Sequence, residues 1–182
     1  MRFVGAWDTV GALGIPGRLR TLTARRYEFH DVELSSRVKG AYHAIGVDER
    51  RKPFEPAIWK TKPVPGQEVE QAWFAGVHSD IGGGYSEVGL AGLTFAWMVE
   101  RAERHGLVFD KAYIAANIHP DHRGRLHDSM TWYYTFLGDG RRAIDEERPE
   151  RYIDDSARRR YWDPALVYSP SNLKRVLEPG ED

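Results

Sequence analysis

The chain has 182 residues, a formal net charge of −1 and no cysteine. One domain, or part of one, is the natural count for that length, and it can bury a sizeable core. The balanced charge leaves no overall basic field to recruit nucleic acid, and the missing thiols exclude disulfides, thiolate metal sites and cysteine nucleophiles.

The start, MRFVGAWDTV, lacks a signal-peptide pattern. Arg2–Trp7 reads as a strand with Asp8 at its end, followed by a glycine- and proline-punctuated loop over Thr9–Gly17. A carboxylate in that position can orient a histidine or cap the next turn. Tyr27–His30 is a candidate short strand. Ser35 or Ser36 can cap a helix running to about Ile45, since Val38, Ala41, Tyr42 and Ile45 fall on one helical face. His43 lies off that stripe and is expected to be partly exposed or a polar partner. Asp48–Lys52 is a charge run expected on the surface. Pro53–Gly66, with four prolines, reads as an irregular excursion.

The stretch Glu68–Tyr85 (EVEQAWFAGVHSDIGGGY) carries the strongest signal. Its apolar run Ala72–Val77 reads as a strand buried on both faces. His78 and Asp80 then fall at the carboxyl edge of the sheet, where ligands and catalysis collect. Gly82, Gly83 and Gly84 permit a close approach of ligand or chain, or simply a tight strand-to-helix turn. Leu90–His105 reads as a helix stopped at Gly106, with its first amides placed to face an anion. The run Val88–Val99 is too short and too glycine-broken to span a bilayer.

Asp110 is expected to cap a helix over Lys111–Asn117. His119, His122, His127 and Asp128 invite a metal reading, but proline and glycine keep them off a common helix face, so no metal or cofactor is assigned. Thr131–Leu137 (TWYYTFL) is expected to pack inside. Arg141–Arg160, dense in both charge signs, reads as an exposed helix or arm. Tyr168–Leu177 closes as a turn and a short helix. Alternating strands and helices predict an α/β fold with a mostly parallel sheet.

Four stretches carry a resemblance. They are FVGAWDTVGALG at Phe3–Gly14, AYHAIGVDERRKPFEPAIW at Ala41–Trp59, QAWFAGVHSDIGGGY at Gln71–Tyr85, and YIDDSARRRY with YSPSNL within Tyr152–Leu173. They resemble the α/β-hydrolase-like domain of type VI secretion phospholipase effectors, first lipase class, a domain also found in bacterial and fungal proteins of other kinds. The resemblance implies a Ser–Asp–His triad cleaving phospholipid carboxylic esters without a metal. It places Asp8 and His78 in that triad, with Asp80 in a supporting role. It also implies a bacterial cytoplasmic protein secreted into a target cell, and an immunity or secretion-apparatus protein as partner.

The family's nucleophile sits on a Gly-x-Ser-x-Gly elbow before the WDTV strand, and residues 1–182 contain no such elbow. Ser86, in GYSEV, lacks the last glycine, and Ser79 neighbours His78 on the wrong side. The expectation is a single domain forming the C-terminal portion of an α/β-hydrolase-like catalytic domain, inactive alone, with an exposed sheet edge that favours self-association. The alternative is a non-catalytic binding module derived from that fold.

Overall fold

Four short strands form one all-parallel sheet, in the order β1 (Phe3–Trp7), β2 (Gly40–Gly46), β3 (Glu68–Phe74) and β4 (Arg151–Ile153). They come from a computed structural model that describes residues 2–10, 34–60, 62–136, 138–145 and 148–180. The expected strand at Tyr27–His30 and most of the loop Thr9–Gly17 lie outside the described residues. Six α-helices are found among the described residues: α1 (His78–Gly82), α2 (Gly89–Arg104), α3 (Lys111–Asn117), α4 (Trp132–Phe136), α5 (Asp155–Trp162) and α6 (Ser171–Leu177).

The stretch read as a helix to Ile45 is strand β2. Its register pairs Ala41 with Val4 on one side and with Val69 on the other. A central strand covered on both faces is buried at every position and mostly apolar, so its pattern also satisfies helical spacing. Tyr42 and Ala44 point to one face, where they meet Phe74, Ile81, Trp97 and Met98. Ile45 points to the other face with Val47, Trp73, Ile153, Ala157 and Leu173. Thus α2 covers one side of the sheet, and α5 and α6 cover the other. Trp97 sets its ring edge-on to both Tyr42 and Phe74, at 6.1 and 5.6 Å.

His43, expected to be partly exposed, is fully buried. It packs against Trp59, with ring centroids 5.3 Å apart. The proline-rich excursion is held there by Gln71, whose side-chain amide donates to Trp59 O (3.0 Å) and accepts from Trp59 N–H (2.7 Å).

The segment Arg141–Arg160, expected to be exposed, instead supplies β4, part of α5 and three buried arginines. Each buried guanidinium ties irregular chain to the framework of strands and helices. Arg151 donates to Trp59 O at 2.9 Å, and Arg160 donates to Gly124 O at 2.8 Å. Charge density along the sequence does not distinguish such tethers from a solvated face. The first turn of α2, expected to meet an anion, packs on Pro120–Gly124; Gly89 O accepts from Asp121 N–H at 3.0 Å. The expected Asp110 cap is present, with Oδ1 accepting from Tyr113 N–H at 2.9 Å.

A parallel sheet presents all its carboxyl ends along one edge. Asp8, Asp48, Glu49 and His78 all follow such ends. Gly46 sits where β2 leaves the sheet; a Cβ there would lie 2.8 Å from the Gly76 carbonyl oxygen. Gly46→Ala is therefore expected to destabilise the protein by about 1–3 kcal/mol, because backbone rather than a flexible side chain must move. Urea denaturation of the two proteins measures the difference.

Candidate active site

Asp8 ends β1 with φ of 46°, in the left-handed region. Aspartate tolerates that conformation better than most residues, and it turns the carboxylate back over the sheet edge. The side chain is completely buried. Its Oδ1 accepts from Gly46 N–H at 2.8 Å and from Arg142 Nη1 at 2.6 Å. Its Oδ2 accepts from Arg142 Nη2 at 3.0 Å and lies 2.7 Å from His78 Nδ1. Burial alone would push the Asp8 carboxyl up. The His78 hydrogen bond, the Arg142 charge and hydrogen bond, and the Gly46 amide outweigh it and hold Asp8 well below the usual carboxylate range.

His78 opens α1, and its side chain is one-third exposed. With Nδ1 engaged by Asp8, Nε2 is the nitrogen left for chemistry. Phe54 sets its ring edge-on to the imidazole at 5.2 Å. Arg51 lies 3.5 Å over the Phe54 ring. Buried Glu49 holds Arg51 through Nη2 at 2.7 Å and also accepts from the His78 amide at 3.2 Å. Burial would raise the Glu49 pKa, but its hydrogen bonds with Arg51 lower it overall. The charge run at Asp48–Lys52, expected on the surface, thus includes a buried carboxylate, Glu49, and a half-buried one, Asp48, beside the site. Asp48 accepts from Gly76 N–H (2.7 Å) and from the Tyr168 hydroxyl (2.9 Å), and burial pushes its carboxyl up.

Asp80 does not reach His78 through its carboxylate. It is buried and pairs with His127, Oδ1 to Nδ1 at 2.6 Å. Oδ2 accepts from Val77 N–H at 3.1 Å and from His127 N–H at 3.2 Å. Val77 offers no capping acceptor of its own, so Asp80 closes the first turn of α1 from within. Tyr85 stacks on the His127 ring at 3.7 Å. The glycines end the same element: Gly83 takes φ of 82° and donates to Ser79 O, while Gly84 packs where a Cβ would lie 2.8 Å from Ser79 Cβ. Thr94 of α2 donates to Ile81 O at 2.7 Å and anchors α1 against the neighbouring helix.

The Ser86 hydroxyl donates to Glu87 at 2.6 Å. No hydrogen bond joins Ser79 or Ser86 to the His78 ring. His119, His122 and His127 do not converge: His122 turns to Asp163 and His127 to Asp80. Among the described residues no group of three or more candidate metal ligands is found.

An aspartate after β1 and a histidine after β3, on either side of the central β2 end, are joined through Nδ1, an arrangement in which a carboxylate can orient an imidazole for proton transfer. The model of the type VI secretion system (T6SS) phospholipase effector, Tle1-like, catalytic domain matches residues 1–101. The chain belongs to this family. No curated protein and no solved structure matches it. Membership brings a lipid substrate and the role of a secreted effector. Among the described residues, no helix is long and apolar enough to cross a membrane. The match spans Asp8, His78 and Asp80, but Arg142 and His127 lie beyond it. In the sequence Arg142 falls in a charge run that reads as exposed, and His127 in a loop of scattered histidines that invites only a metal reading.

Two expectations follow from the site. Arg142→Met leaves the Asp8 carboxylate buried without its cation, at a cost of about 3–5 kcal/mol; adding Asp8→Asn should recover part of it in a double-mutant cycle read by chemical denaturation. The second concerns His43, whose Nε2 accepts from Thr9 N–H at 3.1 Å. Burial lowers the His43 pKa to about 4 from an ordinary 6.5. The unfolded chain therefore takes up this proton first, and stability falls as pH drops from 6.5 towards 4, by up to about 3 kcal/mol. His43→Gln keeps an acceptor without the titration, so the stability gap between the two proteins should close across that window in unfolding curves.

Proposed function

We propose that this domain supplies the aspartate and histidine of a Ser–Asp–His triad that cleaves carboxylic esters of phospholipids. The observation that carries this reading is the 2.7 Å contact between His78 Nδ1 and the buried Asp8 carboxylate. His78 Nε2 takes the proton of a serine hydroxyl as that oxygen attacks the ester carbonyl, then returns it to the departing alcohol. Water repeats the sequence on the acyl-enzyme and releases the fatty acid. Asp8 fixes the tautomer and stabilises the imidazolium.

In this reading, residues 1–182 are one domain, the C-terminal portion of an α/β-hydrolase-like catalytic domain. The nucleophile comes from an elbow outside these residues: the Ser86 hydroxyl is held by Glu87, and Ser79 makes no hydrogen bond to the His78 ring. Asp80 and His127 brace the turn that carries His78. Gly82 and Gly83 border an apolar groove of about 410 Å³ with Trp7, Ile81, Val88 and Phe95. Trp7 precedes Asp8 in the chain and Ile81 lies one helical turn from His78, so this apolar groove suits an acyl chain. Gly84 serves the packing of α1. The protein partner that goes with this reading is an immunity or secretion-apparatus protein.

The test uses the complete catalytic unit, with fatty-acid release from phospholipid as the readout. His78→Ala and Asp8→Asn are each expected to lower turnover by roughly 10³-fold or more. Near-normal turnover in His78→Ala would remove this histidine from the mechanism and leave the domain as a binding module.

A further inference from the structure

The short helix α4 carries two of the most exposed large apolar side chains in the protein. Trp132 is 76% exposed and Phe136 is 84% exposed. They are four residues apart, share one side of the helix, and meet edge-on with centroids 6.1 Å apart. The sequence pattern TWYYTFL suggests an inward packing element, yet these rings face water. Single exposed apolar side chains are ordinary on a protein surface, whereas an adjoining aromatic pair at the rim of a site marks an interaction surface.

The pair is connected to the catalytic histidine. Tyr134, on the same helix, sets its ring edge-on to Phe54 at 6.1 Å, and Phe54 meets His78 at 5.2 Å. A basic rim adjoins it. Lys52 packs against Gly138 and Gly140, directly after α4. Arg50 receives the Gly140 amide on its carbonyl at 2.8 Å, which brings its side chain to the same edge. Arg141 follows. Among the described residues, the acids paired with these cations are Asp128 and Asp139, and the ion pairs are long, at 3.5 Å for Arg50–Asp128 and 3.7 Å for Arg50–Asp139 and Arg141–Asp139. Among the described residues, three cations meet two loosely paired acids at this edge, an excess of positive charge.

We infer that α4 and this basic rim form the face that seats on an anionic phospholipid bilayer. The inference deepens the lipid-hydrolase reading and rests on it for the choice of partner. Trp132 and Phe136 enter the boundary between headgroups and acyl chains, where aromatic rings are favoured. Arg50, Lys52 and Arg141 meet the phosphates. A lipid ester at that depth then lies beside Phe54 and His78, so docking and delivery share one side of the protein.

The experiment measures partition of the purified chain onto vesicles of phosphatidylethanolamine and phosphatidylglycerol by flotation, alongside sedimentation velocity without lipid. Wild type is expected to float with the vesicles, and Trp132→Ala/Phe136→Ala is expected to bind at least tenfold more weakly. Because both side chains are exposed, the variant's thermal melt should match wild type. Trp132→Phe should lose quenching by brominated lipid while retaining most binding. Equal flotation of wild type and the double variant overturns the inference, as does wild type that fails to float. Loss of self-association in the double variant with unchanged flotation also overturns it and assigns the face to a second copy of the chain. In the complete catalytic unit, the double variant should keep its turnover of a soluble short-chain ester and lose turnover of vesicle lipid. Persistent flotation of a His78→Ala protein with normal turnover would sink the catalytic reading and leave the membrane face standing.

Discussion

A carboxylate with no exposed surface needs a full set of donors, and Asp8 has them. The Arg142 fork, the Gly46 amide and the His78 imidazole come from three separate parts of the chain. Removing any donor leaves charge in a medium that solvates it poorly, so the clamp joins the end of β1, the end of β2, the start of α1 and the distant segment at Arg142. Arg142 also donates to the carbonyls of Gly46 and Phe54. The guanidinium therefore sets the position of Phe54, which in turn walls the imidazole. The orientation of His78 and the shape of its surroundings have one electrostatic origin.

The sheet makes this convergence possible. In a parallel sheet every strand leaves at the same edge, so turns far apart in sequence become neighbours. Glu49 uses that proximity on the other side of His78, accepting from the His78 amide while holding Arg51 over Phe54. Asp80 extends it further by pairing with His127 and closing its own helical turn. His78 is thus fixed at its backbone by Glu49 and at its ring by Asp8, with the short helix beneath it fixed by Asp80 and Thr94. Such bracing from several directions holds the imidazole in one orientation. The exposed rings of α4 stand outside this framework and reach it through Tyr134 and Phe54.

What the amino-acid sequence determined by itself was local. A compact apolar run, a histidine, an aspartate and three glycines identified β3 and the turn after it, and RFVGAW followed by Asp8 identified β1 and its terminal carboxylate. Helices α2, α3 and α6 were legible from spacing and caps. The resemblance then paired Asp8 with His78, which local pattern alone had left open. Tertiary structure decided the rest, because it depended on which charges and apolar faces meet. β2 reads as a helix until neighbours on both sides show why every position is buried. His43 is buried because β2 is central. Arg142, Arg151 and Arg160 resemble a solvated charge run until the sheet edge and its loops supply their acceptors. Asp80 belongs to His127, 47 residues further along, rather than to His78 two residues before it. Trp132 and Phe136 carry the composition of a core element, and only the placement of α4 at the rim left their rings facing solvent.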